Sequence, residues 1–358
     1  MRPRIGVLTS GGDCPGLNAV LRGVVRAASN RDWEVIGFHD GFEGLLPPAH
    51  FEPLDLRRTA GIMPLGGTIL GTTNRGHFIT KVGEGEKIHV LPEVIEKTRE
   101  TLSQLGIRAL ITIGGDGSLT TALQLHEAGI PIVGVPKTID NDLEATAMTF
   151  GFDSAVACVC DALDRLHTTA SSHKRVMVIE VMGRHAGWIA LYGGLAGGAD
   201  IILLPEIPFD HDRVAEAVRK RESEGCKSTL VVVAEGAHSK TGNVYTHIEA
   251  FGENKLGGIG HVVANEISQR TSKETRACVL GHLQRGGAPT TLDRILGTRF
   301  GVHAVDLVAE GRLGEMVSYQ NYQVLGVPIA EAVHRIKLVQ PDSQMVLTAR
   351  AVGISFGD

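Results

Sequence analysis

The 358-residue chain has no excess of positive charge. Its 35 Lys and Arg stand against 40 Asp and Glu, a formal net charge of −5, and the two signs are interspersed, so no nucleic-acid partner is expected. No apolar run reaches the roughly 18 residues that a membrane span needs. The nearest, AGWIALYGGLAGGA over 186–199, is too short and runs into Asp200, so no membrane partner is expected either. The opening MRPRIGVLTSGGD passes straight into a strand-like run and a Gly-rich turn, with no secretory apolar segment. Five cysteines, an odd number, do not make a disulfide framework in a chain of this length. Cys158 and Cys160 form a C-x-C without the second Cys or His pair that a zinc site requires, and they read as buried thiols. There is no internal repeat and no low-complexity linker. The expectation is a cytoplasmic globular protein with two or three domains' worth of core.

What is present is alternation. Short apolar runs, RIGVLT (4–9), WEVIGF (33–38), RALITIG (108–114), PIVGVP (131–136), RVMVIEVM (175–182), DIILLP (200–205), STLVVVAEG (228–236) and RACVLGHL (276–283), are separated by helical periods such as LNAVLRGVVRAASN and LPEVIEKTRETLSQLG. Near-continuous Val, Ile and Leu imply strands covered on both faces, as in a parallel sheet. Eight such strands predict an α/β protein of two doubly wound, Rossmann-like domains. A closed eight-stranded barrel also fits the alternation. The open sheets are preferred because the Gly-rich loops cluster after particular strands.

In open α/β sheets ligands sit beyond the carboxyl ends of the strands, and the polar insertions collect there. TSGGDCPGLNAV (9–20) follows the first strand and IGGDGSLTTA (113–122) the third. Both are Gly-rich turns opening a helix, suited to anions. Neither is a Walker P-loop or a G-x-G-x-x-G. Asp116 in the second suggests a divalent cation beside polyphosphate. The next strand ends in PKTIDND (136–142). A polar turn would explain that segment taken alone. At this strand end, however, Asp140 can act as base toward a hydroxyl, while Lys137 and Thr138 can hold phosphoryl oxygens. Further strand ends carry Arg175, Arg184, Glu235, Arg276, His282 and Arg285, and arginine forks suit phosphate. The set reads as phosphoryl transfer to a phosphorylated alcohol.

GVLTSGGDCPGLNA, GGTILGT, IGGDGS, PKTIDND, SSHKRVMVIEVMGRHAGW and VLGHLQRGG, in this order, resemble the 6-phosphofructokinase family from Gly6 to about Asp306. The resemblance implies Mg2+-dependent transfer from ATP to the 1-hydroxyl of fructose 6-phosphate, a glycolytic reaction, with the active site in the cleft between two domains. It implies a donor domain of 1–150 plus about 283–333 and a sugar-phosphate domain of 151–282 plus about 334–358. Gly12, Arg75, Gly115, Asp116, Gly117 and Ser118 are implied at the ATP site, with Asp116 on the metal. Asp140 is implied as base, with Thr138 and Ile139 lining its segment and Asp142 in a supporting role. Met182, Gly183 and Arg184 match the sugar segment, and Arg184 offsets transition-state charge. Glu235 matches the ligand of sugar hydroxyls. Arg276, His282, Leu283, Gln284 and Arg285 match the 6-phosphate clamp. Arg175 matches a residue contributed by a neighbouring subunit of a homodimer or homotetramer.

The pattern departs in three places. Pyrophosphate users carry Lys at the position of Lys137 and Asp at that of Gly117. The common bacterial ATP users carry Gly at the position of Lys137. This chain combines Gly117 with Lys137, and because an Asp side chain would fill the space of the nucleotide's α-phosphate, the expectation is ATP. Asn74 stands where an arginine is usual, with Arg75 beside it. Arg22 and Arg26 match an effector pocket whose other basic positions are here His167, Glu224, Cys226 and Ser228, so the usual bacterial effector switch is not expected. Pyrophosphate dependence, a silent regulatory subunit and action on sedoheptulose 7-phosphate remain alternatives, with a nicotinamide enzyme further off.

Overall fold

Burial on both faces decides which runs become central strands: Ile5–Thr9 and Ala109–Gly114 are buried at every residue. The computed structural model describes residues 2–73, 75–78, 89–242, 246–248 and 254–358. In chain order the strands are β1 (Arg4–Thr9), β2 (Glu34–Phe38), β3 (Phe51–Leu54), β4 (Ile107–Gly114), β5 (Ile132–Pro136), β6 (Val176–Val181), β7 (Ile201–Leu203), β8 (Thr229–Ala234), β9 (Thr246–Ile248), β10 (Asn254–Leu256), β11 (Thr275–Val279), β12 (Glu315–Gln320) and β13 (Gln323–Pro328). The helices are α1 (Leu17–Ser29), α2 (Pro92–Gln104), α3 (Asp116–Glu127), α4 (Phe152–His173), α5 (Trp188–Ala196), α6 (His211–Ser223), α7 (Ile259–Thr271), α8 (Thr291–Glu310), α9 (Ile329–Ala332) and α10 (Gln344–Ala351). They form two compact units. One holds the chain through Ile139, Leu143–Ser154 and Arg285–Arg335; the other holds Asp140–Asp142, Ala155–Gln284 and Ile336–Asp358.

The first unit is built on a seven-stranded sheet of order β13-β12-β5-β4-β1-β2-β3. Its five inner strands are parallel. At the edges β3 and β13 are antiparallel to their neighbours, which corrects the expectation of parallel strands alone. FEPL and QVLGVP are short edge segments with exposed positions, so they lack the continuous apolar signature of a buried strand. Asn321 and Tyr322, with φ of 47° and 65°, form the two-residue turn between β12 and β13, as such hairpins require. Because side chains alternate across a strand, the sheet has two cores. Leu8, Leu110, Ile132 and Met316 pack with α2 and α3 residues such as Leu102 and Leu119. α1 and α8 cover the other face. The chain leaves β1 toward β2 on one side and reaches β4 and β5 on the other, so the loops after β1 and β4 flank a topological switch point.

The second unit has a four-stranded sheet, β11-β6-β8-β7, parallel throughout. Val178, Val231 and Val233 pack against Val214 and Val218 of α6 and Val263 and Ile267 of α7. α5 packs on the opposite face. β9 and β10 form a separate antiparallel pair. Among the described residues no helix is long and apolar enough to cross a membrane.

Candidate active site

The loop after β1 is sewn to the segment 65–73. Ser10 N–H donates to Ile113 O at 2.9 Å and Gly11 N–H to Thr73 O at 3.1 Å. Thr72 Oγ1 donates to Gly11 O at 2.6 Å and Thr9 Oγ1 to Gly71 O at 2.8 Å. Buried Asn18 gives its amide to Leu65 O and Gly66 O and accepts from Ile69 N–H. Gly11 has φ of +80°, a left-handed conformation that other residues rarely adopt. After β4 the chain turns at Gly115 into α3, with no side-chain cap on the helix. Its first-turn N–H groups can therefore meet an anion.

Between these loops lies a cavity of about 240 Å³, built wholly within the first unit and lined by Ser10–Gly12, Phe42, Glu43, Thr73, Arg75, Phe78, Gly115–Ser118, Thr121 and Lys137. The structure thus brings together Gly12, Arg75, Gly115, Asp116, Gly117, Ser118 and Lys137, while Asn74 lies outside the described residues. Phe42, Glu43 and Phe78 carry no motif and escape a reading of the sequence, whereas Thr121 falls within the IGGDGSLTTA segment. Phe42 stacks on Phe78 with centroids 5.4 Å apart, and Glu43 grips His77 through its N–H at 2.6 Å and its Nδ1 at 2.9 Å. This grip fixes the wall that bears Arg75 and Phe78. At Gly117 nothing apart from the local helix backbone and adjacent residues lies within 4 Å of the place a Cβ would take.

Two cations hold the loop after β1. Lys137 is 4% exposed; its N–H donates to Gly114 O at 2.8 Å and its Nζ to Gly12 O. Arg285 belongs to this unit, not with its neighbours His282, Leu283 and Gln284. Its Nη1 donates to Asp13 O at 3.0 Å, and a Cβ on Gly12 would come within 2.7 Å of it. Burial pushes the nearby Cys14 thiol up to about 12, so it is not a nucleophile at neutral pH.

The remaining candidates sit elsewhere. Thr138 and Ile139 close the first unit's segment, where Thr138 O accepts from Thr149 Oγ1 at 2.7 Å and Ile139 is wholly buried. Asp140, Asn141 and Asp142 belong to the second unit. There the ends of β6 and β8 gather Met182, Gly183, Arg184, Glu235 and Gln284. Glu235 N–H donates to Val181 O at 2.9 Å and Gly236 N–H to Gly183 O at 3.2 Å. Gln284 Oε1 accepts from Met182 N–H at 3.3 Å. Gly183 has φ of +133° and a Cβ there would lie 2.8 Å from Ala186 O. Arg184, Arg276, His282 and Leu283 are exposed. Arg175 and Arg276 each reach Glu274 at 2.7 Å, and the Arg175 hydrogen bond holds the Glu274 carboxyl below its usual range.

Among the described residues no group of three or more His, Cys, Asp or Glu could cage a metal. A single aspartate, Asp116, lines the cavity. That donor set fits Mg2+, which is commonly held by one or two carboxylates together with substrate phosphates and water.

A doubly wound α/β unit with Gly-rich loops, an acid and a buried lysine at its switch point defines a phosphate-binding protein of the kinase kind. The Phosphofructokinase family profile matches residues 4–308. An ATP-dependent 6-phosphofructokinase of Chloroflexus aurantiacus is 54% identical over 100% of this chain and 98% of its own. A pyrophosphate–fructose 6-phosphate 1-phosphotransferase of Amycolatopsis methanolica is 50% identical over 95% of this chain and 97% of its own. The phosphofructokinase structure from Saccharomyces cerevisiae superposes with a TM-score of 0.80 at 30% identity. That match covers 99% of this chain and 47% of the yeast chain, so the present chain spans about half the yeast chain's length. The chain belongs to the phosphofructokinase family.

Proposed function

We propose that the protein transfers a phosphoryl group from ATP to the 1-hydroxyl of fructose 6-phosphate, giving fructose 1,6-bisphosphate. The observation that carries the choice of donor is the open space at Gly117 on the cavity wall. A carboxylate there would project into the volume a nucleotide's α-phosphate needs and repel it. Relatives of comparable identity bear both donor names, so overall similarity does not choose between them and this local feature does. In this reading the first unit binds the donor. Gly12, Gly115 and Ser118 offer backbone and hydroxyl donors to phosphate oxygens, Lys137 adds positive charge, and Arg75 faces the nucleotide. Mg2+, when bound at Asp116, supplies neutralisation of charge on the phosphates.

The second unit binds the sugar phosphate in the same reading. Asp140 accepts the proton of the attacking hydroxyl. Arg184, exposed and so open to an incoming anion, stabilises the developing negative charge on the transferred group. Met182, Gly183 and Glu235 hold the sugar; Arg276 and His282 meet the 6-phosphate, with Leu283 and Gln284 forming their turn. Arg285, in the first unit, offers its guanidinium to a phosphate oxygen. The assembly is a homodimer or homotetramer in which Arg175 serves a neighbouring subunit, for which its pairing with Glu274 must open.

The test is formation of fructose 1,6-bisphosphate from fructose 6-phosphate and Mg2+ with ATP or pyrophosphate as donor. Turnover with ATP alone supports the reading. Turnover with pyrophosphate alone overturns the donor assignment, and turnover with neither overturns the activity.

A further inference from the structure

The segment that follows the family match supplies a lysine to the base loop. Asn141, next to Asp140, has φ of 52°. Asparagine reaches the left-handed region more readily than other non-glycine residues, and a contact from outside the loop can fix it there. The support is Lys337. Its Nζ donates to Asn141 Oδ1 at 3.1 Å, and its backbone N–H donates to Asp142 O at 2.8 Å. Two consecutive residues after Asp140 are thus anchored by one residue nearly two hundred positions later in the chain.

Lys337 is itself fixed. Its carbonyl accepts from Trp188 Nε1 at 2.8 Å, and its ammonium lies 5.8 Å from the centroid of the Trp188 ring, within the range of cation–π attraction. Trp188 opens α5, directly after the turn that carries Met182, Gly183 and Arg184. Two residues beyond Lys337, Val339 N–H donates to Glu206 Oε1 at 2.9 Å, and the same carboxylate accepts from Gly187 N–H at 3.0 Å. All of these residues belong to the second unit. The segment 337–339 is a strut tied at one end to the loop of the base and at the other to the turn of the sugar segment.

We propose that Lys337 is a positioning residue for catalysis. Through Asn141 and Asp142 it holds Asp140 at the geometry proton abstraction requires, and through Trp188 it couples that geometry to the sugar-binding turn. The proposal rests on Asp140 being the base. A misplacement of about 1 Å at a reacting group can cost roughly a hundredfold in rate, which sets the scale of the effect.

The experiment compares wild type with K337M, K337R, N141G, the double variant K337M/N141G and D140N, each over a range of fructose 6-phosphate and ATP concentrations. K337M and N141G are each expected to lower kcat by about ten- to a hundredfold, with both KM values within about threefold of wild type. K337R is expected to recover much of that loss. Because Lys337 and Asn141 act through one contact, the double variant is expected to be no worse than the poorer single variant. N141G keeps the left-handed backbone accessible and so probes the contact even if K337M fails to fold. The inference is overturned if K337M and N141G keep wild-type kcat, if their effects add, or if the loss appears in KM instead. D140N separates the two readings: if it turns over like wild type, the base assignment fails, whereas an inactive D140N beside fully active K337M and N141G sinks only the strut.

Discussion

The two units differ in how far each site is built before a ligand arrives. In the first, the cavity that we propose receives the donor is preformed. Its loops bond to one another, Lys137 is buried against Gly12, Arg285 grips Asp13, and Glu43 pins the opposite wall. In the second, Arg184, Arg276 and His282 stand exposed, and Glu274 occupies Arg175 and Arg276. A buried polar group must have its partners within the fold, so the donor side is committed by folding itself. Exposed arginines keep their hydration and can exchange partners at little cost, so the acceptor side can answer to its ligand.

The sharpest break of that comparison is at the base. D140N should lower kcat by about a hundredfold or more while the sugar-phosphate KM moves only a few-fold, read from initial rates. Equal losses in the D140N and K137M variants would mean the two sides do not divide the chemistry as proposed.

Next comes the stability of the first unit. Asp293 is wholly buried, its Oδ2 accepting from Ser154 N–H at 2.8 Å and Ser154 Oγ at 2.6 Å, and burial raises its pKa to about 6 from 3.8. The folded state therefore binds the proton more tightly than the unfolded chain does. This group's stabilisation is full below about pH 4 and is lost as pH rises through about 6, a difference of about 3 kcal/mol at 1.36 kcal/mol per unit. Urea unfolding from pH 4 to 7 should show D293N lacking that falling component; an identical pH slope in both proteins would contradict it.

At the donor, G117D should cut kcat/KM for ATP by about a hundredfold through repulsion and lost space, with a smaller effect on pyrophosphate. Unchanged ATP kinetics would show that the opening at Gly117 does not select the nucleotide. The smallest expected effect lies on the acceptor side. E274Q releases Arg175 and Arg276, and the KM for fructose 6-phosphate should fall by about two- to fivefold, the scale of an exposed ion pair. A rise instead would mean that Glu274 orients those arginines for the phosphate.

Several features are legible in the order of amino acids alone. The buried runs of β1, β4, β5, β6 and β8 stand out because parallel strands covered on both faces leave no polar positions. The Gly-rich loops and Asp116 stand out because close approach to an anion restricts residue choice. The edge strands β3 and β13 do not, since an edge strand needs only one apolar face, and β12 does not, because EMVSYQ carries Glu, Ser and Gln in place of a continuous apolar run. Phe42, Glu43 and Phe78 escape because nothing in an isolated phenylalanine or glutamate distinguishes a cavity wall from an ordinary core or surface. HLQRGG reads as one motif, yet the fold parts it after Gln284, with Arg285 turned to the loop after β1.

The sequence by itself determined the fold class, the family and the residue types placed at each strand end, because those depend on local pattern and on neighbours a few positions apart. The tertiary structure alone decided which of those residues meet. That Lys137 closes on Gly12, that Glu274 holds two arginines, and that Lys337 braces the loop of Asp140 depends on how chain segments are brought together in space. Such contacts are set by packing of whole elements, and no local spacing encodes them.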